Sequence, residues 1–292
     1  MNIEPLTDCI SLIHGRDEGV FPYSHSILIQ DKEVVLIDTG CGIENLSKLR
    51  QEYQIDYVIN SHTHPDHSAG NWVLEGMPIH VPEERFEASG DAAALGERFV
   101  GRENAGVFQE FVKQSMGFRN CRPTHAYNRQ TVFDFGKTRL LPIHTPGHTV
   151  DHYCFFEPEK RILFSFDYDL TPFPWYGHVE SILTEFRESV GKLKDLSPDV
   201  VISSHRGIII DDIDEEFDRY CERIDRRDDK LLSLLTSEKT VAQLVECAPI
   251  YGSYPYAEPL LRYWERQMIE EHLDKLVVEG RVEIRGKSYI RV

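Results

Sequence analysis

The chain lacks any hydrophobic run near the ~20 residues that a membrane-spanning helix needs. Its longest apolar stretches, such as 34–37 and 200–202, stop after a few residues, which excludes a spanning helix. The opening residues, Met1-Asn2-Ile3-Glu4-Pro5, show no basic segment followed by an apolar one, so no signal peptide is read there and a cytoplasmic location is expected. Cysteine is scarce and unpaired in pattern. Cys9, Cys41, Cys121, Cys154, Cys221 and Cys247 include no Cys-x-x-Cys, which argues for reduced, mostly buried thiols and against a cysteine zinc site. Positive charge is in deficit: 32 Lys and Arg face 49 Asp and Glu, a net charge of −17. Phosphate-rich partners favour basic surfaces, so nucleic acid is disfavoured. There is no internal repeat, no low-complexity tract and no Gly-x-Ser-x-Gly elbow for a serine nucleophile. What remains is an ordinary globular mix, 292 residues with 41% hydrophobic and 11% aromatic side chains, which excludes a disordered chain. The length fits one large domain, or one with a small appendage.

The order of patterns is that of an α/β protein. Short strands are expected at 26–29, 33–37, 56–60 and 78–81, with a helix at 43–53 and a helix start in 69–74. Residues 83–119 are polar and broken by Gly90, Gly101 and Gly106; they read as an inserted helical cap or a plain surface connection. Strands resume at 130–133, 138–144, 152–157 and 161–165, followed by a helix at 183–196 and a strand at 199–203. From about residue 213 long helical patterns dominate (215–235, 241–247, 257–279), and a hairpin turns at Gly286-Lys287. Helices followed by a hairpin suggest a winged-helix-like unit over 213–292, set after a catalytic domain over 1–212.

Five of the 13 histidines stand where strands run out into loops. His62, His64 and His67 crowd together with Asp66 after the apolar residues 56–60. Imidazole and carboxylate suit zinc, iron or manganese. Alternate residues of an extended segment point the same way, so His62 and His64 can share one ion, while the turn at Pro65 aims Asp66 and His67 at a second. His148 in Thr145-Pro146-Gly147-His148-Thr149, Asp167 after 163–166, and His205 after 200–204 occupy similar exits. A histidine pair in one loop is commonly polar surface; four such loops in order point to metal.

These residues resemble the metallo-β-lactamase superfamily. His62-Thr63-His64-Pro65-Asp66-His67 matches its His-x-His-x-Asp-His motif, the loop at His148 is similar to the second metal loop of its glyoxalase II-like branch, and Leu36-Ile37-Asp38-Thr39-Gly40 matches its first loop. The resemblance covers about 20–210. It implies an αββα sandwich of two mixed sheets flanked by helices, with two divalent metal ions at one edge, zinc first and iron or manganese also accepted. His62, His64 and His148 would hold the first ion; Asp66, His67 and His205 the second; Asp167 would bridge, and Asp38 would orient the histidine loop. Asp66 and Asp167 are the expected catalytic carboxylates. Where the family often has glycine before the bridging aspartate, this chain has Phe166, from which a bulkier site wall is expected. Asp169 would replace Asp167 only if the strand shifted.

Two ions ~3.5–4 Å apart would share a hydroxide available at neutral pH, so the expected reaction is hydrolysis of an ester, thioester or lactone of a small molecule. The alternatives in the same fold are RNA phosphodiester cleavage, which the net charge and an acidic last helix oppose, and non-haem iron redox chemistry. Trp175, Tyr176 and His178 belong to an aromatic loop expected mainly to pack, with substrate contact as its other reading. His25, His144 and His152 fit hydrogen-bonding roles better than ligand positions, and His14, His80, His125 and His272 carry no signal. The C-terminal unit is expected to shape the pocket or form a homodimer contact.

Overall fold

The computed structural model describes residues 1–292. Seven short strands pair in chain order into one sheet: β1 (Ile3–Pro5), β2 (Ile10–Ile13), β3 (Ser26–Gln30), β4 (Val34–Ile37), β5 (Tyr57–Ile59), β6 (Ile79–Pro82) and β7 (His125–Tyr127). β1 to β4 run antiparallel and β4 to β7 parallel, so the sheet is mixed. Parallel neighbours need crossovers. α1 (Ile43–Glu52) joins β4 to β5, a single turn α2 (Pro65–Ser68) lies between β5 and β6, and the long α3 (Ala92–Met116) lies between β6 and β7. The second sheet has six strands, β8 (Phe133–Asp134), β9 (Arg139–His144), β10 (Tyr153–Glu157), β11 (Ile162–Phe166), β12 (Val200–Ser203) and β13 (Gly207–Ile209). Only β11 and β12 pair in parallel, across α4 (Leu183–Asp195).

The period of two along each strand sorts the core into layers. Ile27, Ile29, Val35, Ile37 and Ile59 share a buried cluster with Phe155, Ile162, Phe164 and Ile202 of the second sheet, so these faces meet. The alternate residues Leu28, Leu36 and Val58 turn outward and meet Leu46 and Leu49 of α1. On the second sheet Cys154, Leu163 and Val201 turn outward and meet Leu183, Phe186, Val190 and Leu193, the buried stripe of α4. Each such side chain fully buried contributes about 1.5–3 kcal/mol, upper values before chain entropy is counted. The result is a four-layer sandwich of two mixed sheets flanked by helices.

The last part of the chain holds α5 (Ile213–Leu234), α6 (Val241–Glu246), α7 (Glu258–Val278) and a three-stranded sheet, β14 (Lys239–Thr240), β15 (Val282–Arg285) and β16 (Ser288–Arg291), in the order β14-β16-β15. Thr240 and Gln243 form a reciprocal capping box that starts α6. Phe217, Tyr220 and Ile224 of α5 and Met268 and Leu273 of α7 enter the same cluster as the outer face of the second sheet. Leu260, Leu261 and Trp264 of α7 pack instead on Leu95, Phe99 and Phe108 of α3, so the inserted helix and the tail lean on each other.

Three local expectations need correction. The strand expected at 130–133 is a turn: Asn128 accepts from the Gln130 and Thr131 N–H groups, and β8 keeps only two residues. Gly106 lies within α3, whereas Gly101 breaks it at φ 68°, a left-handed value that suits glycine. The helix start expected in 69–74 is a 3-10 turn at Asn71–Leu74, preceded by α2. No helix is long and apolar enough to cross a membrane.

Candidate metal centre

The first histidine loop is short because of Pro65. Proline favours the first turn of a helix, and its predecessor His64 stays extended at ψ 141°. The chain therefore leaves β5, presents His62 and His64, and coils at once into α2 with Asp66 and His67. The His62 and His64 rings lie 4.5 Å apart. Gly147 lets the second loop pass α4: a Cβ there would stand 2.1 Å from the Phe186 nitrogen. Asp167 follows a bulge at the end of β11, and His205 leaves β12.

All seven residues singled out in the sequence come together, in two groups that share Asp167. His62, His64, His148 and Asp167 form one group and Asp66, His67, His205 and Asp167 the other, the ligand atoms of each lying within 4.8 Å of one another. Asp167 divides its oxygens between them. Its Oδ2 is 3.5 Å from His62 Nε2, 3.6 Å from His64 Nδ1 and 3.1 Å from His148 Nε2. Its Oδ1 is 2.7 Å from His67 Nε2 and 3.4 Å from His205 Nε2, and Asp66 Oδ2 is 3.5 Å from that same His205 atom.

The far side of each ring is fixed. His67 Nδ1 donates to Asp38 at 2.7 Å. Asp38 also accepts from the Ser61 N–H and hydroxyl, and Ser61 Oγ lies 3.0 Å from His62 Nδ1. His148 Nδ1 donates to the Trp175 carbonyl and His205 Nδ1 to the Gly19 carbonyl. His64 Nε2 lies 3.1 Å from His178 Nε2. Such contacts choose the tautomer and leave the opposite nitrogen free to ligate. His62 Nε2 is buried with no hydrogen-bond partner, and His67 Nε2 and Asp167 Oδ1, 2.7 Å apart, face only each other. Buried polar atoms normally have one. The unpartnered His62 nitrogen, with an all-imidazole and carboxylate donor set around it, fits divalent metal.

Charge is distributed accordingly. Burial pushes the His62 imidazole down and His64 well down. Burial also disfavours charge on His67, but Asp167, Asp38 and Asp66 outweigh it and raise His67 well above the ordinary value. Burial opposes charge on His205 too, yet Asp167 lifts it to about 9. For Asp167, burial is overcome by His67, His62 and His205, which hold the carboxyl well below the usual range.

Phe166 does not thicken the site wall, contrary to the sequence expectation. It adopts φ 49°, and its ring turns into the core between the sheets, 5.4 Å from Phe155. The left-handed backbone that glycine supplies elsewhere is here held by the packed ring, at a cost of ~1–2 kcal/mol. Asp169 joins neither group; its carboxylate accepts from Tyr220 Oη and the Thr171 N–H. His152 accepts from the Asp167 N–H, and His25 accepts from the Gly15 N–H, so both serve hydrogen bonding.

Sequence reasoning missed a buried clamp. Asp151 Oδ2 accepts from Thr63 N and Oγ1 at 3.1 and 2.6 Å, and Asp151 Oδ1 accepts from Arg98 of α3 at 2.5 Å. Arg98 also donates to Glu180. The residue between His62 and His64 is thus tied to the inserted helix. No spacing rule joins residues 63, 98, 151 and 180, which lie in four different segments.

Above the cluster opens a cavity of about 350 Å³. Its floor includes His64, Asp66, His148, Asp167 and His205, and its walls come from α3, the aromatic loop and α7. The sequence profile of the Metallo-beta-lactamase superfamily matches residues 19–205, which include every residue of the cluster.

The chain belongs to the metallo-beta-lactamase superfamily.

Similarity to other proteins extends past the matched residues. The Beta-lactamase-like protein 2 homolog of Caenorhabditis elegans is 25% identical over 96% of this chain and 88% of its own length. The atrochrysone carboxyl ACP thioesterase of Passalora fulva is 25% identical over 96% of this chain and 79% of its own. In fold, a metallo-beta-lactamase family protein from Thermus thermophilus superposes with a TM-score of 0.75 at 22% identity, covering 99% of this chain and 100% of that one. A beta-lactamase domain protein from Burkholderia ambifaria gives 0.73 at 14% identity, over 100% and 94%. The two near-complete superpositions show that the metallo-beta-lactamase sandwich and the tail together form a shared fold.

Proposed function

We propose that the protein is a metal-dependent hydrolase of a small-molecule ester or thioester, acting at a two-ion centre. The observation that carries this is the pair of candidate ligand groups meeting at Asp167, with His62 Nε2 buried and unpartnered among them. His62, His64 and His148 would hold one ion, Asp66, His67 and His205 the other, and Asp167 both; zinc suits this set, as do iron and manganese. Bound divalent ions supply Lewis acidity and ionise water near neutral pH, so no serine or cysteine nucleophile is needed.

The chain's own residues do the rest. Asp38 holds His67 and, through Ser61, His62, so two rings keep their ligating nitrogens aimed inward. Asp66, which would need only one carboxylate oxygen for its ion, keeps the other at the floor of the cavity, where it can accept a proton from water, while Asp167 would tie the two ions together. The apolar walls exclude bulk water and strengthen each electrostatic contact at that floor. We propose further that residues 1–212 carry the reaction, with 83–120 as a cap, and that 213–292 complete the pocket. Thioester cleavage of the glyoxalase II kind is the nearest chemistry to the motif set, and the thioesterase named among the relatives supports it.

The test is metal analysis of protein purified without added metal, joined to a panel of esters, thioesters, lactones and phosphodiesters. Two equivalents of metal and chelator-sensitive ester or thioester turnover are expected. Asp167→Ala should lose both metal and activity. Full turnover in metal-stripped protein, or RNA cleavage without ester turnover, refutes the proposal.

A further inference from the structure

We infer that the site selects substrates whose acyl part is uncharged and apolar, of about two aromatic rings in size, and discriminates against acyl groups that carry their own carboxylate. The inference rests on the hydrolase reading and narrows it to a substrate class.

Size comes first. The cavity holds about 350 Å³. An engineered cavity of ~150 Å³ binds one benzene ring. Two rings, or an acyl chain of similar bulk, therefore fill the present one.

Charge comes second. No Lys or Arg lines the cavity. Its histidine and aspartate liners are the metal cluster itself, Asp169 two residues from Asp167, and His178 against His64. With the scissile carbonyl at the floor, where the ions would bind it, an acyl carboxylate would lie among the walls, which offer no cation and only neutral hydroxyls, those of Thr171, Tyr251 and Tyr256. A buried charge without a partner is strongly disfavoured.

Wall chemistry comes third. Phe99 and Phe108 of α3 share a cluster with Leu261 and Trp264 of α7, and Trp175 packs against it. Trp175 and Trp264 stand edge to face at 5.6 Å and 83°, an arrangement that presents ring faces and edges to a flat guest. The Trp175 indole N–H is already satisfied, since it donates to Tyr251 Oη at 2.7 Å. The mouth stays apolar: Phe21 and Tyr256 line it and are 41% and 59% exposed. Exposed aromatic residues at the rim of a cavity mark an entry for apolar ligands.

The experiment uses the full-length, zinc-loaded protein and three N-acetylcysteamine thioesters that share one neutral leaving group: acetyl, succinyl and 2-naphthoyl. kcat/KM for 2-naphthoyl should exceed that for acetyl by about 100-fold, the worth of burying a large aromatic surface. The succinyl ester should fall below acetyl. A second readout needs no metal and no turnover. Trp175 and Trp264 line the cavity, whereas Trp72 does not, so 2-naphthamide should change tryptophan fluorescence of the metal-free protein saturably and succinamate should not. Leu261→Glu should abolish that binding while leaving metal content intact.

Turnover of acetyl or succinyl thioester equal to that of 2-naphthoyl overturns the inference and leaves the hydrolase reading standing. Saturable 2-naphthamide binding with no hydrolysis of any thioester supports the pocket and refutes the hydrolase reading. Absence of both refutes both.

Discussion

Asp151→Asn isolates the clamp between the inserted helix and the histidine loop. The carboxylate is fully buried and accepts three hydrogen bonds, two from Thr63 and one from Arg98, itself only 8% exposed at its side chain. The amide keeps the shape, removes the charge and turns one acceptor into a donor facing Arg98 or Thr63. Breaking a buried pair costs about 3–5 kcal/mol, because the remaining charge is left in low dielectric. Arg98 retains Glu180 at 2.6 Å, which places the expected loss near the low end, about 3 kcal/mol. Urea unfolding of metal-free protein measures it. Thr63 lies between His62 and His64, the proposed ligands, so metal affinity should also fall, by about 10- to 100-fold, as for other residues that orient ligands. Burial pushes the Asp151 carboxyl up, but Arg98 above all, with His62 and the Thr63 hydroxyl, holds it well below the ordinary range. A carboxyl depressed in the folded state stabilises fully above its unfolded pKa of about 3.9 and loses that contribution as pH falls toward the folded value. The stability gap between wild type and variant should therefore stay level from about pH 7 to 5 and narrow below about 4. A loss within about 0.5 kcal/mol, the scatter of a surface substitution, together with unchanged metal affinity, would refute the reasoning.

Gly147→Ala places a Cβ 2.1 Å from the Phe186 nitrogen at φ +114°, so it should cost at least about 2 kcal/mol in urea unfolding and weaken metal binding through His148. Phe166→Ala should cost about 3–5 kcal/mol by emptying part of the core between the sheets, while metal stoichiometry holds; loss of metal at unchanged stability would contradict the placement of the ring. A chain ending at residue 212 should be insoluble or bind the dye ANS, since Phe217, Tyr220, Met268 and Leu273 no longer cover Phe186 and Val190 of α4. A soluble, cooperatively unfolding fragment would show that the sandwich stands without its tail.

The cluster was legible in the sequence because each of its residues sits where an apolar strand gives way to a loop, and because His62 to His67 combine alternation with a proline-started turn. Local spacing carries that information. It carries none about Asp151, Arg98 and Glu180, whose meeting depends on where the inserted helix lands. His178 was visible as a residue of an aromatic loop, but its contact with His64 was not. Phe166 misled because a bulky residue at a glycine position was read by size alone; the backbone accepts φ 49°, and the ring is carried to the other face. At 130–133 the apolar pair Val132 and Phe133 suggested a strand, but Asn128 captures the backbone first. Edge strands such as Ile3–Pro5 are too short for an alternation to register.

Because the wall above the cluster is built where two helices distant in the chain touch, α3 and α7, selectivity and reactivity are written in separate places. Substitutions at Phe108, Leu261 or Trp264 can reshape what enters without disturbing a single donor atom below. A protein engineer wanting a new guest should therefore randomise that helix–helix seam and leave the strand-end loops alone.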